Sequence, residues 1–182
     1  MSNILFMENK GLLLKSAMFY GLLLGVFWIV KYLFFIWGVT HPSVSVVYWA
    51  LTPLTIVFAY IFTKVYKILI GGWISFFHAW QFGVLLYFFA AVIVSLLHYI
   101  FYTYLAPAGY LTDVIDMTMK MVKELNPQTE EAILKMPVIT PIRMAIQGIF
   151  NNLLYGILLS LPVAAMLCRK REAGFFNRGN QE

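Results

Sequence analysis

The chain has 182 residues, of which 62% are hydrophobic, 18% aromatic and only 12% charged. Soluble domains carry about 25% charged residues, and so many aromatic side chains would give a soluble protein large exposed apolar patches. The net charge is +5, but the basic residues flank apolar stretches instead of forming one patch. This pattern excludes a nucleic-acid partner and indicates a lipid bilayer.

Four segments are apolar over the roughly 20 residues that a membrane-spanning helix needs. We predict a single transmembrane domain over residues 1–182, an all-α integral membrane four-helix bundle. Its spans are expected at about 16–38, 44–63, 80–104 and 143–167. Helix-breaking residues separate these spans, and Pro53 and Pro162 within the second and fourth spans predict kinks.

The polar segment between the third and fourth spans, residues 108–139, holds five of the eight acidic residues. Leu111, Ile115 and Val122 recur at helical spacing, which predicts an amphipathic helix. Asn126 and Pro127 then predict the start of a second, short helix. This segment is expected to lie on the membrane surface or cover the bundle, or else to dock a partner.

Basic residues are unequally divided between the two sides of a four-span chain. One side carries eight and the other four; the eight are Lys10, Lys15, Lys64, Lys67, Arg169, Lys170, Arg171 and Arg178. Short loops rich in Lys and Arg stay in the cytoplasm. We therefore expect both termini inside, the acidic segment outside, and the first span to serve as an uncleaved signal anchor.

Polar residues inside the spans are candidates for function. We predict that one outward-facing cluster combines Lys31, His98, Tyr102, Gln147 and Asn151, because all of them fall in the outer half of their spans. Such a cluster would suit a small anionic or polar ligand. The alternative is a set of interhelical hydrogen bonds, with Lys31 extending its ammonium to the membrane surface.

Gly21 and Gly25 form a GxxxG motif in the first span, which allows close helix packing either within the chain or between copies. No span contains Asp or Glu, which argues against a proton-coupled transporter. The three histidines are scattered, the only cysteine is Cys168, and no catalytic motif is present. We therefore expect no enzyme activity, no metal and no cofactor.

The stretch Ile74–Pro107 begins with the spacing Ser75-x-x-x-Ala79-x-x-x-Gly83 and ends in aromatic residues. With the acid-bearing loop and a last span ending in "CRKRE", it resembles a family of four-span bacterial membrane proteins known only as a domain of unknown function. The resemblance covers most of the chain and implies a bacterial inner (cytoplasmic) membrane. It implies no activity, so it assigns no catalytic residue.

The expected function is that of a non-catalytic accessory or interaction protein, with another membrane protein or further copies of the chain as partners. The alternative is a small-solute carrier or ligand-binding membrane protein that uses the outer polar cluster.

Overall fold

The computed structural model describes residues 2–125 and 140–168, and every regular element in these ranges is helical. The helices are α1 (Ser2–Thr40), α2 (Pro42–Leu51), α3 (Leu54–Leu69), α4 (Phe76–Ile100), α5 (Tyr110–Leu125) and α6 (Pro141–Leu167). One π-helical turn, Phe101–Leu105, extends α4. The second helix predicted after Asn126 lies outside the described residues.

Four helical segments are long and apolar enough to cross a membrane: Gly11–Gly38, Ser43–Leu69, Phe76–Leu105 and Pro141–Leu167. This confirms the all-α fold with four spans. Helix α4, which forms the third span, begins at Phe76. This is earlier than the start predicted at about residue 80, because Ser75 caps the helix. The Ser75 Oγ accepts a hydrogen bond from the His78 backbone N–H over 3.3 Å.

The second span is interrupted between α2 and α3 at Thr52 and Pro53. Proline lacks the N–H that would continue the helical ladder. The Thr52 N–H donates to the Trp49 carbonyl over 3.1 Å, and the Ile56 N–H donates to the Pro53 carbonyl over 3.0 Å. Both bonds have the tighter three-residue spacing, which interrupts the regular α-helical hydrogen bonding here. By contrast, α6 continues through Pro162.

Helix α4 packs against both α1 and α6, and small residues allow the close approach. A Cβ placed on Gly21 would lie 2.6 Å from the Phe89 Cβ, and one on Gly25 would lie 3.0 Å from the Ile93 Cβ. The structure therefore places the GxxxG motif against α4 of the same chain. On the other interface, a Cβ on Gly83 would lie 2.5 Å from the Ser160 Cβ.

The end of the bundle near the α3–α4 turn is tied together by hydrogen bonds. The Tyr66 hydroxyl lies 2.7 Å from the His78 Nε2, and the Lys67 Nζ donates to the Leu167 carbonyl over 2.8 Å. The turn uses Gly71 and Gly72 at φ of +100° and +84°, a region that favours glycine. These hydrogen bonds join α3 to α4 and to the end of α6.

Helix α5 follows a turn through Pro107 and Gly109 at the end of the third span. Its charged residues Asp113, Asp116, Lys120 and Glu124 are exposed and recur at spacings of three or four residues. Such spacing places them on one side of the helix. The first helix of the acidic segment is thus amphipathic.

Candidate membrane cavity

All four spans contribute to a cavity of about 530 Å³. This volume is in the range of pockets that hold small organic ligands, roughly 300–1,000 Å³. The cavity lies in the half of the bundle that also contains the α1–α2 turn and the start of α5, here called the α5 half. Its lining residues are Trp28, Lys31, Tyr32, Tyr48, Trp49, Thr52, Pro53, Thr55, Ile56, Tyr87, Val94, His98, Asn152, Tyr155 and Leu159.

Lys31 is the cationic residue of the cavity lining. Its Nζ donates to the Thr52 Oγ1 over 3.4 Å and lies 4.5 Å from the centroid of the Tyr48 ring. The Thr52 Oγ1 donates in turn to the Tyr48 carbonyl over 3.0 Å. That carbonyl is accessible because the Thr52 N–H has turned to Trp49 at the helix break. The break at Pro53 therefore positions the hydroxyl that holds the ammonium.

The four spans supply no negative charge near Lys31. Its two contacts, a hydroxyl and an aromatic face, are neutral groups. No residue of the four spans is Asp or Glu, so the spans supply no carboxylate for it. A positive charge inside a membrane is expensive unless it is paired, and the four spans supply no opposite charge for Lys31.

His98 faces Tyr32 across the cavity wall, with ring centroids 4.2 Å apart in an edge-on arrangement. Gly148 of α6 makes room for the imidazole, because a Cβ there would lie 3.0 Å from the His98 Nδ1. The histidine is thus held by α1 and α6 and lines the same cavity as Lys31.

Two tyrosine hydroxyls of the lining have unmet hydrogen-bonding capacity. Tyr32 is 6% exposed and Tyr87 is 1% exposed. Within the described part of the chain, neither hydroxyl has a hydrogen-bond partner. A buried polar group without a partner costs about 1–3 kcal/mol. Both residues line the cavity, but their hydroxyl oxygens are themselves buried.

The cavity opens sideways between α2 and α6. The main contacts of α2 are with α1, whereas those of α3 are with α6, so the two halves of the second span diverge at Pro53. Trp49 of α2 and Tyr155 of α6 both line the cavity. They are also 69% and 63% exposed at the surface of the bundle, which places the opening at membrane depth.

An aromatic series connects the cavity to α5. Tyr32 packs edge-on against Phe101, with centroids 5.9 Å apart, and Phe101 packs against Tyr110 at 5.5 Å. Burial, together with the neighbouring Tyr102, raises the pKa of Tyr110 above its usual value, so its hydroxyl stays neutral at physiological pH. The first residue of α5 is therefore anchored on the π-helical turn above the cavity.

Comparison with protein families identifies the chain. The model of a family described as "Protein of unknown function (DUF4199)" matches residues 19–169. The chain belongs to the DUF4199 family. The match spans all cavity-lining residues and confirms the resemblance to a four-span family of unknown function. Comparison with curated proteins and with solved structures finds no match.

Within this DUF4199 chain, only part of the predicted polar cluster lines the cavity. Lys31 and His98 do so, while Tyr102 stacks on Tyr110 instead. Gln147 and Asn151 are exposed and bond to each other, the Gln147 Nε2 donating to the Asn151 Oδ1 over 3.0 Å. They do not line the cavity.

The cavity-lining amide of α6 is Asn152, which the sequence-based cluster missed by one position. The signal that identifies it is a repeat of Gly148, Asn152, Gly156 and Ser160 at four-residue intervals. Small residues at this spacing mark the packed face of a membrane helix. Gly156 is buried against Tyr87 of α4, so the same face of α6 turns Asn152 inward and Asn151 outward.

Metal ligands are not grouped in the described ranges. No set of three or more His, Cys, Asp or Glu side chains within residues 2–125 and 140–168 is close enough to hold a metal ion. The polar chemistry of the cavity is that of an ammonium, an imidazole, an amide and hydroxyls.

Proposed function

We propose that this multi-pass membrane protein binds a small anionic ligand in the cavity of the α5 half, with Lys31 supplying the opposite charge. The observation that carries the proposal is the position of Lys31 in a cavity formed by spans that contain no acid. An anion would neutralise the ammonium, and its remaining oxygens would meet the hydroxyls and amide around it.

The geometry favours this function over purely structural hydrogen bonding. A structural lysine would be expected to extend its ammonium to the membrane surface. The Lys31 Nζ instead contacts Thr52 and Tyr48 inside the cavity.

Binding is testable by thermal unfolding of the purified protein in a neutral detergent. A ligand at a hundred times its Kd stabilises the folded state by about 2.7 kcal/mol. We expect an effective anion to raise the Tm of the wild type and of Lys31→Arg, and to leave that of Lys31→Gln unchanged. Lys64→Gln is the matched control, because Lys64 is an exposed lysine of α3 that does not line the cavity. Equal responses of Lys31→Gln and Lys64→Gln would refute the proposal.

The orientation proposed from the basic residues places both termini in the cytoplasm, in an inner membrane, with the α5 half toward the outside. A reporter that is active only outside the cytoplasm should then work when fused after Leu125 and fail when fused after Ile68. The reverse pattern would overturn the orientation, and with it the outward position of the cavity.

A second candidate function is that of a non-catalytic interaction protein, and the charged side of α5 favours it. Asp113, Asp116 and Glu124 remain exposed beside the bundle. If they bind a partner, a protein that co-purifies with the wild type in mild detergent should be lost from Asp113→Asn/Asp116→Asn and retained by Lys64→Gln. Retention by both variants would exclude α5 as the contact.

A further inference from the structure

We infer that the ligand is a single-chain anionic amphiphile that reaches the cavity from the bilayer, between α2 and α6. This inference rests on the proposed anion site and specifies its chemistry and its route. It combines three observations: the sideways opening, the segregation of polar and apolar lining, and the volume.

The opening gives access to acyl chains rather than to bulk water. Trp49 and Tyr155 flank it, and both belong to segments that cross the membrane. Trp and Tyr combine an apolar body with a polar tip and suit sites where hydrocarbon meets polar groups. The break at Pro53 directs α2 toward α1 and leaves α3 on α6. The gap therefore belongs to the fold of the second span.

The lining is polar at one end and apolar at the other. Toward α5, the four spans contribute Lys31, Tyr48, His98 and Asn152. Roughly one to three helical turns further from α5, the lining includes Trp28, Thr55, Ile56, Tyr87 and Leu159. The Trp28 Nε1 already donates to the Thr55 Oγ1 over 3.2 Å, so this deeper end is largely non-polar. A small inorganic anion would contact only the polar end of the lining. An amphiphile would place its headgroup at the polar end and its alkyl chain at the apolar end.

The volume limits the size of the amphiphile. About 530 Å³ is in the range of pockets that hold one small organic ligand, roughly 300–1,000 Å³. That is the scale of one medium-length alkyl chain with its headgroup. A two-chain phospholipid is several times larger, so it would have to leave its tails outside the opening.

The first experiment uses the protein in phosphatidylcholine nanodiscs and a matched set of probes. These are dodecyl sulfonate, dodecanol, dodecyltrimethylammonium and methanesulfonate. We expect dodecyl sulfonate to raise the Tm of the wild type, of Lys31→Arg and of Lys64→Gln, and to raise that of Lys31→Gln much less. The alcohol and the cation should show no such dependence on Lys31, and methanesulfonate should require at least a tenfold higher concentration.

The outcomes separate this inference from the proposed function. If methanesulfonate stabilises the protein as effectively as dodecyl sulfonate, and both effects need Lys31, the anion site stands and the amphiphile inference is wrong. If no anion shows an effect that depends on Lys31, both proposals are wrong.

A second experiment locates the alkyl chain. Trp28 lines the cavity and is buried, so a brominated alkyl sulfonate in the cavity should quench its fluorescence. The quenching that is lost in Lys31→Gln should be reduced in Trp28→Phe, which leaves Trp49 as the other tryptophan of the lining, and unchanged in Trp73→Phe, whose tryptophan does not line the cavity. Quenching that is identical in wild type and Lys31→Gln would place the chain elsewhere and overturn the inference.

Discussion

Replacing Gly21 by alanine tests whether close packing of α1 on α4 holds the bundle together. The added Cβ would lie 2.6 Å from the Phe89 Cβ and 3.0 Å from the Leu86 carbonyl oxygen. Ordinary contact begins at 3.4 Å, so the helices would have to separate by about 0.8 Å at this point. Neither neighbouring atom is the end of a flexible side chain. Overpacking of this kind typically costs about 1–3 kcal/mol.

Gly11→Ala is the matched control. Gly11 is in the same helix, and an added Cβ would meet nothing within 4 Å. Alanine favours a helix over glycine by up to about 1 kcal/mol, so this substitution should leave stability unchanged or raise it. Gly21→Ala has the same propensity gain but should show a net loss, and the two variants are expected to differ by about 2 kcal/mol.

The assay is thermal unfolding of both variants in the same neutral detergent. For a protein of this size, about 1 kcal/mol shifts the Tm by roughly 2–4 °C. Gly21→Ala should therefore unfold about 4–8 °C below Gly11→Ala. Equal Tm values, or a higher value for Gly21→Ala, would show that α1 and α4 do not approach each other through this glycine.

Two further predictions use matched pairs. Tyr66→Phe removes the hydroxyl that lies 2.7 Å from the His78 Nε2 and should cost about 1 kcal/mol without ligand. Tyr87→Phe removes a buried hydroxyl without a protein partner and should be neutral or stabilising in the same denaturation measurement. An equal loss in both variants would contradict this account of the cavity. Pro53→Ala should restore helical continuity, narrow the opening and raise the Kd for dodecyl sulfonate at least tenfold, whereas Pro162→Ala should leave it unchanged. An unchanged Kd in Pro53→Ala would show that the helix break does not control access to the cavity.

The sequence predicts the spans well because their signal is local. A bilayer requires long uncharged helices, so composition alone identifies four segments, and the structure confirms them. Their ends depend on capping and turn residues, which is why α4, the third span, begins at Phe76 after its cap Ser75 and not several residues later. The interruption at Pro53 is equally local, because a proline removes one particular hydrogen bond.

The site is harder to predict because it depends on how each helix is rotated. Depth along the spans groups Lys31 with His98, since four antiparallel spans bring their outer halves together, and both residues line the cavity. Rotation decides between Asn151 and Asn152, which are adjacent and chemically identical. The small residues that pack α6 on α4 set that rotation. Their repeat turns Asn152 toward the cavity and leaves the more polar pair, Gln147 and Asn151, on the outer surface of the bundle.

The contacts of Lys31 also bear on how the protein is inserted during synthesis. Thr52, which holds its ammonium, follows 21 residues later, so the first span leaves the ribosome before its polar neighbour exists. A lysine at the centre of a lone helix opposes insertion by about 2.5–3.5 kcal/mol, and Lys31, in the outer half of its span, carries a smaller cost of the same kind. We therefore expect the first and second spans to insert together as a helical hairpin. In that hairpin, the second span supplies the hydroxyl that contacts the charge of the first.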